Sequence, residues 1–223
     1  MKYLLVLALV IAFCFSVPIP THPDGYLYKP APLKTVRLDV YEDILCGDCK
    51  NFEPGFKKYL NTAKVDGKPV TDYVETVVHM FPLPYHHHAF ILTQLVPFVF
   101  DINEDSADVF EYTDWVFSVQ DAFLAGATDM SEPEVQKMAC TKASEATGLF
   151  TYDDCMKEYA TGKHSNNARV SWKFGAYNGV NGTPTVFLNG IEVDAPMSEK
   201  EWAALLKDYL PGSDSSVKNM LKN

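Results

Sequence analysis

The stretch Thr35-Val36-Arg37-Leu38-Asp39-Val40-Tyr41-Glu42-Asp43-Ile44-Leu45-Cys46-Gly47-Asp48-Cys49-Lys50-Asn51-Phe52 decides how this chain reads. Its first part alternates, with Val36, Leu38 and Val40 on one side and Arg37 and Asp39 on the other, which is the two-residue period of a half-buried strand. Beyond the cysteine pair the period lengthens. Phe52, Phe56, Tyr59 and Leu60 recur at helical spacing up to the turn Val65-Asp66-Gly67-Lys68-Pro69. A second strand is predicted over about 74–81 and closed by Pro82-Leu83-Pro84. Strand, helix, strand in this order usually gives a parallel pair. Cys46 and Cys49 therefore fall where the first strand hands over to the first helix.

That location carries chemistry. A helix N-terminus presents unpaired backbone N–H groups and the positive end of the macrodipole, and both stabilise a thiolate on the first cysteine. A thiolate is the species that attacks a disulfide. Cys49, one helical turn deeper, is within reach to resolve the mixed disulfide. Two other uses of the pair fit less well. A structural disulfide at this spacing restrains little of the unfolded chain, and a zinc site lacks its second half, because Cys140 and Cys155 are not a close pair and the histidines lie elsewhere.

Outward from this core, the proline-rich segment 22–34 reads as an extended leader without periodicity. From residue 85 to about 176 the pattern is helical, broken at Gly126, at Ser131-Glu132-Pro133, at Gly148 and at Gly162. Ser131 before Pro133 and Glu134, and Thr151 before Asp153 and Asp154, are helix starts. Thr185-Val186-Phe187-Leu188 and Ile191-Glu192-Val193-Asp194 flank Asn189-Gly190, the strongest short hairpin signal. Ser198 with Glu201 is a capping box opening a last helix that carries Trp202, Leu205, Leu206 and Tyr209. A polar tail, 211–223, follows.

At the other end, Lys2, an apolar run from Tyr3 to Phe15 and the small Ser16 have the order of a secretory signal peptide, 1–16. The run is short for a membrane span, which needs about 20 apolar residues, so no stable membrane insertion is expected after cleavage. About 207 residues then remain, enough for one domain with a substantial core. The formal charge of -10, with acids scattered along the chain, argues against nucleic acid or an anionic membrane as partner. Five cysteines fall to four once Cys14 leaves, and an even count in an oxidising compartment suggests two bridges, one tight and one wide.

The order of these pieces resembles the DsbA-like branch of the thioredoxin superfamily. The resemblance runs through Cys46-Gly47-Asp48-Cys49, through Phe81-Pro82-Leu83-Pro84-Tyr85-His86 with Ala89, and through Val180-Asn181-Gly182-Thr183-Pro184-Thr185-Val186-Phe187-Leu188-Asn189-Gly190. It implies an α/β thioredoxin-like fold over 35–210, with a large helical insertion at about 85–176 between the second strand and the cis-proline strand. It also implies that Pro184 is cis and faces the cysteine pair, with Thr183 offering backbone to an extended substrate. The implied function is disulfide exchange with protein or peptide substrates, Cys46 attacking and Cys49 resolving. A recycling partner is implied, but no cofactor and no metal. The compartment would be secretory, either extracellular or lumenal, and the terminus Met220-Leu221-Lys222-Asn223 lacks a retrieval signal of the Lys-Asp-Glu-Leu type. Two rival readings are a redox-inactive binding module or chaperone of the same fold, and a glutathione-linked transferase or isomerase that dispenses with Cys49.

The chain departs from the pattern at two places. Many thioredoxin-like proteins carry a buried acid six residues before the first cysteine, and here Val40 stands there, with Asp39, Glu42 and Asp43 nearby. The Asp48 carboxylate would oppose a neighbouring thiolate, so Cys46 is expected to be less acidic than in strongly oxidising relatives. Among the remaining candidates, Cys140 and Cys155 are expected to form a structural bridge within the insertion. His86-His87-His88 is expected to be a solvated or capping cluster, since consecutive helical residues diverge by about 100°. His79 and Met80 belong to a strand and the core. Asn181-Gly182-Thr183 matches a glycosylation acceptor, but the following proline disfavours its use. The aromatics Phe110, Tyr112, Trp115, Phe117 and Phe123 are expected to build the core of the insertion.

Overall fold

A computed structural model gives the structure of residues 23–211. The expected signal peptide, the start of the leader and the tail after residue 211 lie outside the described residues. The leader is more than a tether, because it contributes a short strand, β1 (Tyr26–Leu27). The alternating segment after it forms β2 (Val36–Glu42), and helix α1 (Gly47–Thr62) follows. The predicted turn is a small hairpin of β3 (Lys64–Val65) and β4 (Lys68–Pro69), after which comes β5 (Val74–Met80). β2 and β5 are parallel along their length, from Val36 opposite Val74 to Glu42 opposite Met80.

The helical segment then runs through α2 (Ala89–Thr93), α3 (Val96–Asn103), α4 (Ser106–Ser118), α5 (Gln120–Phe123), α6 (Glu132–Thr147), α7 (Tyr152–Thr161) and α8 (Ser165–Tyr177). The chain returns as β6 (Thr185–Leu188), turns into β7 (Ile191–Val193) and ends in α9 (Glu199–Leu206). In space the five-stranded sheet runs β1-β5-β2-β6-β7, with β6 antiparallel to β2. The fold class is thus α/β, a thioredoxin-like sheet with a helical insertion.

Local signals explain where the elements begin and turn. Glu134 accepts the Ser131 backbone N–H at 2.8 Å, and the Thr151 hydroxyl accepts the Asp154 N–H at 3.1 Å, which satisfies donors that a helix start otherwise leaves open. Asn189 and Gly190 take φ of 49° and 84°, as the tight β6–β7 turn requires. The Asn189 side chain also accepts the Arg37 N–H at 2.9 Å, tying that turn to β2.

α1 lies across the sheet face that carries Leu38 and Val40, both fully buried. Its own Phe52 and Phe56 meet Trp202 of α9, with ring centroids 5.8 and 5.4 Å apart. An aromatic buried like Trp202 contributes about 3–5 kcal/mol, judged by truncation to alanine. The approach of α9 depends on Gly55, where a Cβ would come within 2.4 Å of the Met197 carbonyl oxygen. In the insertion Tyr112, Phe117 and Phe123 are buried, and Cys140 of α6 is bonded to Cys155 of α7. Closing that 15-residue separation restrains the unfolded chain by about 3 kcal/mol.

The opposite sheet face holds a charged cluster around His79, which is buried in its strand as expected. The residue is in the strand and 1 % exposed, but its neighbours are not simply apolar. Its Nδ1 meets Asp24 at 2.7 Å and its Nε2 meets Asp39 at 2.9 Å, while Tyr41 stacks on the ring at 4.5 Å. Arg37 bonds Asp39 as well. Burial alone would lower the His79 pKa, but hydrogen bonds to the two carboxylates outweigh it and raise the value. A raised folded-state pKa means the protonated ring favours folding. Its contribution is therefore complete below about 6.5, the ordinary histidine value, and is lost as pH rises through the folded value. Denaturant midpoints measured from pH 6 to 9 are expected to fall more steeply for the wild type than for His79→Gln; parallel curves would contradict this.

Candidate active site

Cys46 is the N-cap of α1, extended at φ -76° and ψ 127°, so its sulfur lies beside the first N–H groups of the helix. It is 5 % exposed, Cys49 is fully buried, and both are free thiols. The Thr183–Pro184 peptide bond is cis, and the Cys46 thiol donates to the Thr183 carbonyl at 3.4 Å. The structure thus brings together Cys46, Cys49, Thr183 and Pro184 from segments far apart in sequence. The Thr183 hydroxyl is buried and has no hydrogen-bond partner among the described residues, which leaves it available to an ionised sulfur.

The Cys46 pKa is lowered to about 6. A hydrogen bond from the Cys49 thiol is the largest cause; burial opposes it, and Thr183 and the backbone N–H groups of Cys49 and Asp48 add to it. Asp48 therefore does not enter as expected from its carboxylate. Its side chain is exposed, and its backbone N–H supports the thiolate. Cys49 moves the other way, its pKa raised well above the usual thiol value by burial, by its hydrogen bond to Cys46 and by the nearby Glu42.

Glu42 answers the question raised by Val40. Strand alternation continues Val36, Leu38, Val40 onto Glu42, which places its carboxyl on the face covered by α1. On that helix Cys49 and Glu53 are one turn apart and point the same way. Glu42 is 2 % exposed, its Oε1 has no hydrogen-bond partner among the described residues, and burial beside Glu53 raises its pKa well above the usual carboxyl range. Glu53 is itself paired with Lys57, which also contacts Asp114. A proton is therefore held on Glu42 next to the resolving cysteine. The signal was present in the sequence, as one more step of the strand period combined with an i, i+4 pair.

Two further residues hold the loop that presents Cys46: Asp43, which the sequence offered only as one of three nearby acids, and Gln120, which it did not single out. Asp43, fully buried, accepts the Leu45 N–H at 2.8 Å and the Leu83 N–H at 2.9 Å and meets His86 Nδ1 at 2.6 Å. Gln120 of α5 donates to the carbonyls of Ile44 at 2.9 Å and of Cys46 at 3.0 Å. Losing that amide would leave the Ile44 carbonyl open, at about 1–3 kcal/mol, while the Cys46 carbonyl would keep the Lys50 N–H at 3.1 Å. No local pattern marks Gln120, because its partners lie more than 70 residues away.

The histidine run is not the solvated or capping cluster the sequence suggested. His86 is tied to Asp43, and His88 is buried with Nε2 on the Ala127 carbonyl at 2.9 Å, while His87 is exposed. Among the described residues no group of three or more His, Cys, Asp or Glu is placed to hold a metal ion. None of the described helices is long and apolar enough to cross a membrane. Asn181 is exposed.

The profile of the family described as Thioredoxin matches residues 32–208. A comparison with curated proteins returned no match. Among solved structures, alpha-DsbA1 from Wolbachia pipientis superposes with a TM-score of 0.63 at 17 % identity, over 92 % of this chain and 96 % of its own. BdbD from Bacillus subtilis, in its oxidised form, superposes with a TM-score of 0.60 at 14 % identity, over 85 % of this chain and 100 % of its own. A putative protein-disulfide isomerase from Pseudomonas syringae gives 0.62 at 12 % identity, over 78 % of this chain and 94 % of its own. At such identities the likeness is one of fold, and the fold is that of DsbA-like proteins.

Thiolate absorbance of the reduced protein is expected to titrate at pH about 6. In Cys49→Ala the loss of the side-chain donor is expected to move that midpoint upward. A midpoint at the free-thiol value of about 8.5 in the wild type would show that Cys46 is not held as an anion.

Proposed function

The chain belongs to the thioredoxin family, and we propose that it is a thiol–disulfide oxidoreductase acting on protein or peptide substrates through Cys46 and Cys49. One observation carries the proposal: a low-pKa sulfur at a helix start touches Thr183 while its neighbour three residues on is buried and protonated. A binding module has no use for two thiols with such divergent acidities. An exchange enzyme needs one to attack and the other to wait.

In the proposed reaction the Cys46 thiolate attacks one sulfur of a substrate disulfide, forming a Cys46–substrate disulfide and expelling the second substrate sulfur as a thiolate that takes up a proton. Cys49 then loses its proton and attacks Cys46 sulfur, closing the Cys46–Cys49 disulfide and releasing the first substrate thiol. Two electrons pass from the protein to the substrate, and the same steps in reverse oxidise a substrate dithiol. Thr183 and Pro184 border the sulfur, so the Thr183 backbone is the proposed edge for an extended substrate segment. Glu42 is the proposed proton-exchanging acid: its own proton passes through solvent to the substrate thiolate expelled in the first step, and the carboxylate so formed receives the Cys49 proton in the second. Electrons reside in the two sulfurs throughout. A second redox protein or small thiol returns the pair to its working state.

The Cys140–Cys155 bridge and the signal-like run before Ser16 support a secretory, extracytoplasmic location, since such bridges persist in oxidising compartments. With Cys46 at about pH 6, between the thioredoxin and DsbA thiols, the expected reduction potential is roughly -270 to -180 mV rather than about -120 mV.

Catalysed insulin reduction or oxidative refolding by the wild type, abolished in Cys46→Ser, is the expected outcome. Turnover no faster than dithiothreitol alone would overturn the proposal. Glu42→Gln is expected to slow resolution of a trapped Cys46 mixed disulfide about tenfold or more at pH 7, within the usual range for losing a proton acceptor. The Cys46 alkylation rate should stay near wild type. Equal resolution rates would remove Glu42 from the mechanism.

A further inference from the structure

Asp43, three residues before Cys46, bonds Leu83 and His86, two residues that line a cleft of about 450 Å³ with an apolar floor and a cationic rim. Pro82 and Leu83 form the buried floor, and Phe90 and Trp172 the walls. The Trp172 indole donates to the Pro82 carbonyl at 3.1 Å and its ring stacks on Phe81 at 5.5 Å, so the wall is fixed. Leu83 also packs in one cluster with Val180, the residue that opens the loop to Thr183, and its N–H is held by Asp43, three residues before Cys46.

The rim is unusual for this chain. The protein has 29 acidic side chains against 19 lysines and arginines, yet no acidic residue lines the cleft. Arg169 and Lys173 of α8 stand one turn apart on its edge, with His86 and His87 opposite. Of the two arginines, Arg37 is fully engaged with Asp39 and Glu75. Arg169 is held over the Phe90 ring at 5.3 Å and has no carboxylate partner among the described residues, and neither has Lys173. Like charges at i, i+4 oppose the helix that carries them, so an anion placed between them gains from both.

Resting on the oxidoreductase reading, we propose that this cleft is a specificity subsite for an acidic segment of the disulfide substrate, one in which an apolar side chain seated between Phe90 and Trp172 is flanked by Asp or Glu carboxylates on Arg169 and Lys173. The subsite selects among substrates by charge while the exchange chemistry stays at Cys46. An acidic chain otherwise repels acidic partners at long range, and the rim gives them a favourable docking place on a cleft tied through Asp43 to the cysteine loop.

The test uses two peptides that share one disulfide and one leucine and differ in having Glu or Lys around the leucine. The full chain is expected to turn over the Glu peptide with kcat/KM at least tenfold above the Lys peptide at low salt, with the gap closing as ionic strength rises. In Arg169→Gln/Lys173→Gln the preference is expected to vanish, with the Cys46 titration unchanged. Equal turnover of both peptides by the wild type, or an equal loss for both in the double variant, would overturn the subsite and leave the exchange reading standing. The same peptides with serine in place of cysteine separate the two ideas. If no peptide is turned over but the serine Glu peptide binds at least tenfold tighter than the Lys peptide, and the double variant loses that difference, the cleft's acidic preference is upheld and the exchange reading fails.

Discussion

A sulfur anion at the mouth of α1 is the feature on which the remainder of the arrangement turns. Cys46 is nearly buried, and burial by itself favours the neutral thiol. The anion is held because donors converge on it from the start of the helix, from Cys49 and from the Thr183 hydroxyl. Only the first of these is local to the cysteine pair. The others require α1, β2 and the loop before β6 to meet at one point, and the antiparallel pairing of β2 with β6 brings that about. Asp43 and Gln120 then fix the loop itself, one by gathering the Leu45 and Leu83 N–H groups and the other by capping the Ile44 and Cys46 carbonyls.

Beneath the anion the protein buries more polar groups than a hydrophobic core of this size calls for. Glu42 of β2 and Glu53 of α1 are buried side by side, and the half-buried Lys57 of the same helix links Glu53 to the exposed Asp114 of α4. An isolated buried carboxylate would be costly. Here the cost is limited because Lys57 supports the charge on Glu53 while Glu42 keeps its proton. The same arrangement leaves a proton-exchanging group next to the thiol that must ionise second. Stability and chemistry pull on these side chains in opposite directions, and the unpartnered Glu42 Oε1 marks where chemistry prevails.

The other sheet face uses charge for a structural end. His79 joins Asp24 of the leader to Asp39 of β2, so the segment before the first long strand is latched to the sheet by an imidazole set between two carboxylates. The short β1 depends on that latch, since two residues of pairing alone would contribute little. The two faces of β2 thus divide the work: Glu42 looks toward the cysteines, and Asp39 looks toward the leader.

Much of this was legible in the sequence because its physics is local. The change from alternation at Val36–Val40 to helical spacing at Phe52–Leu60 located the strand-to-helix junction and the cysteines on it. The Asn189-Gly190 turn and the caps at Ser131, Thr151 and Ser198 were read from residues a few positions apart. The sequence by itself therefore determined the element order, the parallel βαβ unit and the placing of Cys46 at a helix start. Only the tertiary structure decided which groups surround the sulfur. Glu42 rather than an acid at Val40, Gln120 from the insertion, His86 held by Asp43 and the cationic rim at Arg169 and Lys173 all depend on contacts across tens of residues. Such contacts follow from how helices seat against a twisted sheet, and no periodicity along the chain encodes that geometry.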